Sequence, residues 1–172
     1  SRSPFFSPKV MHKILIVKDY IAGIEDRHIR DVFRISFAAT MISYSNYSYE
    51  PSLCRRVAAG KHDIEDCHVG KSITSKLNEI LQDLEWMQKQ LNTNVAKIQV
   101  CNESFFSGHG NLASNSVDLV ITSPPYLNNY HYNRNTRPHL YWLDLINDPH
   151  DMRPLEQDNF GKFWQTVREH EH

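Results

Sequence analysis

Residues 117–132 read VDLVITSPPYLNNYHY, and four of them, Ser123, Pro124, Pro125 and Tyr126, have types and an order that could do chemistry. The lead-in, Val117 to Ile121, is a short apolar run rich in β-branched side chains, as expected for a strand buried on both faces. Two prolines end it. Neither carries a backbone N–H, so the turn is stiff and nearby carbonyls are left free to accept. The Ser123 side-chain oxygen and a carbonyl near Pro124 can both accept from one amino group, while the Tyr126 ring offers a flat stacking face. That combination suits an exocyclic NH2 on a flat heterocycle, a nucleobase turned out of its duplex. Taken alone, the same four residues serve equally well as a sharp strand stop and a packing ring.

The elements that must position this segment read differently in the two halves of the chain. In an open α/β sheet, ligands lie beyond the carboxyl ends of strands, which is where the motif falls. KIQV at 97–100 alternates and is β-prone, so 95–172 reads as strand, connection, strand, the pattern of a parallel α/β sheet. RPHLYWLDLI (137–146) and 156–172 read as two further helices. Residues 1–94 read as helical. Ser7 is an N-cap, with Pro8 at the first helical position. Val10, Ile14, Val17 and Ile21 follow at helical spacing up to Gly23. Asp26 caps a second helix whose apolar face is Ile29, Val32, Phe33, Phe37, Met41 and Tyr44. Residues 45–71 show no period and read as a long loop, functional or disordered. Ile73, Leu77, Ile80, Leu84, Met87 and Leu91 then make a narrow 4-3 stripe, read as a core-facing helix in preference to an intermolecular coiled coil.

Composition narrows the function classes. The 172 residues, 40% hydrophobic and 23% charged, suit a globular chain with a modest core. A net charge of −1 argues against a generally basic nucleic-acid binder and leaves a local basic groove open. Arg55, Arg56, Lys61, Lys71, Arg134 and Arg137 are the candidate phosphate contacts, each of which reads as well as ordinary solvated surface. Three cysteines without a CxxC give neither a disulfide framework nor a zinc site, His68, His109 and His139 have no partners at ligand spacing, and the terminal HEH is short, so no metal is expected. No membrane-length apolar run or signal peptide is present, so the expectation is a cytoplasmic protein.

DLVITSPPYLN resembles the catalytic motif of the amino-directed DNA methyltransferases, which methylate N4 of cytosine or N6 of adenine with S-adenosylmethionine. The Ser-Pro-Pro-Tyr form is commoner on the N4-cytosine side. FFSPKV, IEDRHIRDVFRISFAATMISYSNY and the helix after it are similar to the segment that precedes the motif in one group of these proteins. YLNNYHYNRNTRPHLYWLDL is similar to the segment after the motif in the same group. The resemblance covers most of the chain. It implies an α/β fold: a partial Rossmann-like sheet preceded by a helical segment. Ser123 and the Pro124 carbonyl would hold the target amine, Pro125 would shape the turn, and Tyr126 would stack on the flipped base. Asn128, Asn129, Tyr130, Tyr132 and Arg134 would line the base pocket or meet the substrate, which is double-stranded DNA. If the amine attacks first and loses its proton afterwards, no strong general base is needed and rate comes from positioning. In QVCNESFF, Asn102-Glu103 stands where the family has a Gly-Asp pair beside the cofactor's adenine; Glu103 is the first candidate, Asn102 the alternative.

The family's glycine-rich cofactor turn has no counterpart here: SGHG at 107–110 follows the wrong strand and lacks an acidic lead. The expectation is therefore the middle part of a methyltransferase: a truncated piece, a broken gene product, or a subunit completed by a second one carrying the glycine motif. The competing expectations are a non-catalytic interaction subunit, docking through its helical half, and a methyltransferase acting on RNA.

Overall fold

The computed structural model describes residues 4–49, 52–90, 97–101, 103, 110, 112–123 and 132–157. They fall into two compact units, one of residues 1–92 with 134–145, the other of 93–133 with 146–172.

The first unit is built around three helices. Helix α1 spans Pro8–Ala22, and its N-cap Ser7 accepts from the Val10 N–H at 3.3 Å. The same hydroxyl donates to the Glu65 carbonyl at 2.7 Å, so one buried side chain caps the helix and ties down a distant loop. Helix α2 spans Arg27–Thr40 and is capped by Asp26, which accepts from the Ile29 N–H at 3.0 Å. A 3-10 turn, Met41–Tyr44, continues it. Helix α3 spans Val69–Gln90. Phe6, Val10, Ile14, Phe37, Met41, Tyr44, Val69 and Ile73 are buried together as the core, with Trp142 edge-on to Phe6 at 4.8 Å. The α1 spacing reaches this core as expected, because positions 10, 14 and 21 share one helical face.

Three expectations change. Residues 45–71 are not a featureless loop. Strands β1, Tyr47–Tyr49, and β2, Leu53–Arg55, form a small antiparallel hairpin, and a 3-10 turn at Arg56–Ala59 ends on Gly60 in the left-handed region (φ 71°). Strands of three residues are too short to show a period, so the sequence hid them. The α3 stripe faces the core only in its first half. Val69 and Ile73 are buried, but Leu84 and Met87 stand exposed, because the helix outruns the helices it packs on. On α2, Ile29 is exposed too.

The largest change lies in the second unit. Residues 97–100 and 117–121 form no strand, and their large apolar side chains face solvent, from 50% exposed at Val117 to 88% at Val100. A strand buried on both faces exists only with hydrogen-bonded neighbours and covering layers, and none pairs with these segments among the described residues. The observed architecture is mixed helix with one two-stranded sheet. This is consistent with an α/β class, without a Rossmann-like sheet among the described residues.

Helix α4, Tyr132–Trp142, begins five residues earlier than the sequence suggested and ends four earlier, with Pro138 inside it. A short helix α5, Met152–Gln157, follows a 3-10 turn at Pro149–Asp151.

Candidate active site

The candidate site must be assembled from the segment around Ser123 and the elements flanking it. Ser123 follows the exposed 117–121 run and is itself exposed. Pro124, Pro125, Tyr126, Asn128, Asn129 and Tyr130 lie outside the described residues, as does Asn102. Glu103 is exposed. Tyr132 is half-buried at the first position of α4, and Arg134 lies on the same helix with its side chain outside the described set. No described contact brings these residues together.

The helix that comes after the motif is firmly seated. Asn135, a buried residue of α4, accepts from the Leu53 N–H at 3.0 Å through its side-chain oxygen. Its carbonyl accepts from the Tyr49 hydroxyl at 3.0 Å. Both partners belong to the β1–β2 hairpin, so the hairpin hidden in the 45–71 segment is the anchor of α4. Asn46 plays the matching role at the hairpin's entry. Its side chain donates to the Pro4 carbonyl at 3.1 Å and accepts from the Ile64 N–H at 2.9 Å. Its N–H donates to Phe5 and its carbonyl accepts from Arg56. Sequence reading missed both asparagines. The only local signal was an Asn beside aromatic residues in SNYSY and NRNTRPHL, which many surface turns share.

The candidate phosphate contacts divide. Lys61, Lys71 and Arg137 are exposed. Arg56 is half-buried and donates through Nε to the His62 carbonyl at 2.8 Å, so it holds the turn it begins. Arg55 is half-buried on β2. On α4, burial lowers the His139 pKa below its ordinary value, partly offset by the backbone carbonyls of Ala38 and Thr136. Among the described residues Cys54, Cys67 and Cys101 form no disulfide. Among the described residues no group of His, Cys, Asp or Glu could hold a metal ion, and no helix is long and apolar enough to cross a membrane.

Comparison with known proteins gives one direction. The chain is 30% identical over 89 residues to the Type II methyltransferase M.BsoBI of Geobacillus stearothermophilus. That is 52% of this chain but 17% of the relative, so the chain spans under a fifth of the relative's length. The similarity supports a distant relationship to a methyltransferase. No family model and no solved structure matches.

Proposed function

We propose that this chain carries the target-base segment of an S-adenosylmethionine-dependent DNA methyltransferase that modifies an exocyclic amino group, N4 of cytosine before N6 of adenine. The observation that carries the reading is Ser123-Pro124-Pro125-Tyr126 behind an apolar β-branched run, in a chain distantly similar to a methyltransferase. In this reading Ser123 Oγ and the Pro124 carbonyl accept the two N–H bonds of the amine. Its lone pair is then held out of the ring plane and aimed at the methyl donor. Tyr126 stacks on the flipped base, and Pro125 fixes the angle between ring and carbonyl. When bound, the donor would supply a methyl group whose S–C bond breaks as the N–C bond forms, and the amine would then lose its proton to water, so the part left to these residues would be positioning.

S-adenosylmethionine is the donor this reading requires, but the described residues do not fit it unaided. Glu103 is a solvent-facing carboxylate, and the 117–121 run, which should line the sheet beneath the cofactor, is exposed. In this reading a complementary polypeptide or further sequence of the same protein would supply the glycine-rich turn and the neighbouring strands. A second reading, a non-catalytic interaction subunit, draws support from the exposed apolar side chains Leu81, Leu84 and Met87 on α3.

The test is transfer of labelled methyl groups to duplex DNA by the complete protein or complex that contains this chain. Ser123→Ala should lower the rate by about 100-fold or more, as removal of a positioned hydrogen-bond partner does elsewhere, and Tyr126→Ala by about 10- to 100-fold through loss of the stacking face, with partner binding unchanged. Wild-type rates in both variants would leave the interaction-subunit reading.

A further inference from the structure

A cavity of about 380 Å³ opens between α1, α2 and the end of α4, wholly within the first unit and built from described residues. Its walls combine two chemistries. Ile21, Phe37 and Leu143 give an apolar floor, while Lys18, Arg30 and Arg34 bring three cations to one lining. The volume falls in the range of small-ligand sites.

The cations are held in place. Arg30 donates through one terminal nitrogen to the Ile24 carbonyl at 2.9 Å, and Arg34 through one terminal nitrogen to the Leu143 carbonyl at 2.9 Å. Each guanidinium carries five N–H donors, so further donors remain while the fork is fixed. Arg30 and Arg34 are one helical turn apart on α2, and like charges at that spacing repel. Three carboxylates lie near them: Asp26, the α2 cap, whose pKa is lowered by the Ile29 N–H and, to a smaller extent, by the Arg30 charge, Asp31 and Asp144. Asp31 lies 3.8 Å from Arg34, and it is shared with Arg27 at the same distance. Asp144 pairs with Lys18 at 2.7 Å, and the Lys18 ammonium also lies 5.8 Å from the Trp142 ring centre. Asp144 is a loose partner. Its side chain is 69% exposed, and its backbone sits in the left-handed region (φ 56°), which Asp and Asn tolerate better than most residues.

We infer that this cavity binds a nucleotide unit, its phosphate on Lys18, Arg30 and Arg34 and its sugar and base over the apolar floor. A doubly or singly charged phosphate relieves the Arg30–Arg34 repulsion and competes with Asp144 for Lys18. Planar guanidinium forks match phosphate oxygens, two donors to two acceptors. The unit comes either from a free nucleotide or from one nucleotide of a DNA strand. Only the strand source rests on the methyltransferase reading.

The experiment is calorimetric titration, at low salt, of four probes into the full chain: inorganic phosphate, deoxycytidine, deoxycytidine monophosphate and a short DNA oligonucleotide. Deoxycytidine monophosphate should bind, at least tenfold tighter than phosphate or the nucleoside. Arg30→Gln and Arg34→Gln should each weaken it tenfold or more. Asp144→Asn, which keeps a residue tolerant of positive φ, should tighten it severalfold, and it guards against a folding artefact in the arginine variants. Oligonucleotide binding that shares these responses assigns the strand as source; mononucleotide binding alone assigns the free nucleotide. Failure of both nucleotide probes, equal binding of phosphate and mononucleotide, or indifference to all three substitutions would overturn the inference. This site is read by the response of the titrations to Arg30→Gln and Arg34→Gln, and the motif by the loss of labelled-methyl transfer in Ser123→Ala, so failure of one and failure of the other are separate results.

Discussion

Asn135 shows how much one side chain carries. Leu53 N–H has its partner there in a buried place, so Asn135→Ala leaves a buried donor without an acceptor. The expected cost is about 1–3 kcal/mol, read as a lower urea midpoint with an unchanged slope. Ser7→Ala loses a cap and a bond to Glu65 together, and about 1–2 kcal/mol is expected by the same measurement. His139 gives a pH signature. Burial lowers its folded pKa below the ordinary 6.5, so the unfolded chain takes up the proton first as pH falls. Its contribution is therefore complete above 6.5 and is lost as pH drops through that value towards the folded pKa. Melting temperatures of wild type and His139→Gln, measured from pH 8 to about pH 5, should converge at the acid end. The caps at Ser7 and Asp26 were legible in the sequence because each bonds an N–H three residues on. Asn46 and Asn135 were not, because the side-chain partners of Asn46 lie 42 and 18 residues away in the chain and that of Asn135 lies 82 away.

At the scale of elements, the helices were read well where a periodic face meets a partner. The α1 positions 10, 14 and 21 are buried, and the α3 stripe is buried only where α1 and α2 reach it. Periodicity reports which face is apolar, and not how far along the helix a neighbour extends. Ile73→Ala should therefore cost about 2–5 kcal/mol, while Leu84→Lys and Met87→Lys should leave stability within about 0.5 kcal/mol of wild type. Equal losses at all three would mean the whole stripe is packed. The strand at 117–121 was the weakest reading. Its composition is that of a buried strand, but composition cannot supply the neighbouring strands that bury it. In the isolated chain its amides should exchange at unprotected rates, while those of α1 and α2 are protected. Protection of 117–121 that appears only with a complementary polypeptide would mark the strand being paired.

For the whole molecule, the chain holds a well-packed helical unit and a motif-bearing segment whose apolar residues face solvent. Of the candidate site, the order Ser-Pro-Pro-Tyr was fully legible, since it is local. The mutual placement of Ser123 and Glu103 was not, since it depends on a sheet. If the proposal holds, calorimetric titration of S-adenosylmethionine into this chain should show no micromolar binding, and binding should appear only when a polypeptide supplying a glycine-rich turn is added. Micromolar binding by the chain alone would mean that it completes its own cofactor site. The most direct test of the central proposal is the identity of the product. Duplex DNA methylated by the complete protein would be digested to nucleosides and analysed by mass spectrometry. The expected product is N4-methylcytosine, with N6-methyladenine as the alternative within the same amino-directed chemistry. Methyl groups on cytosine carbon 5, or on RNA alone, would contradict the roles assigned to Ser123 and Tyr126.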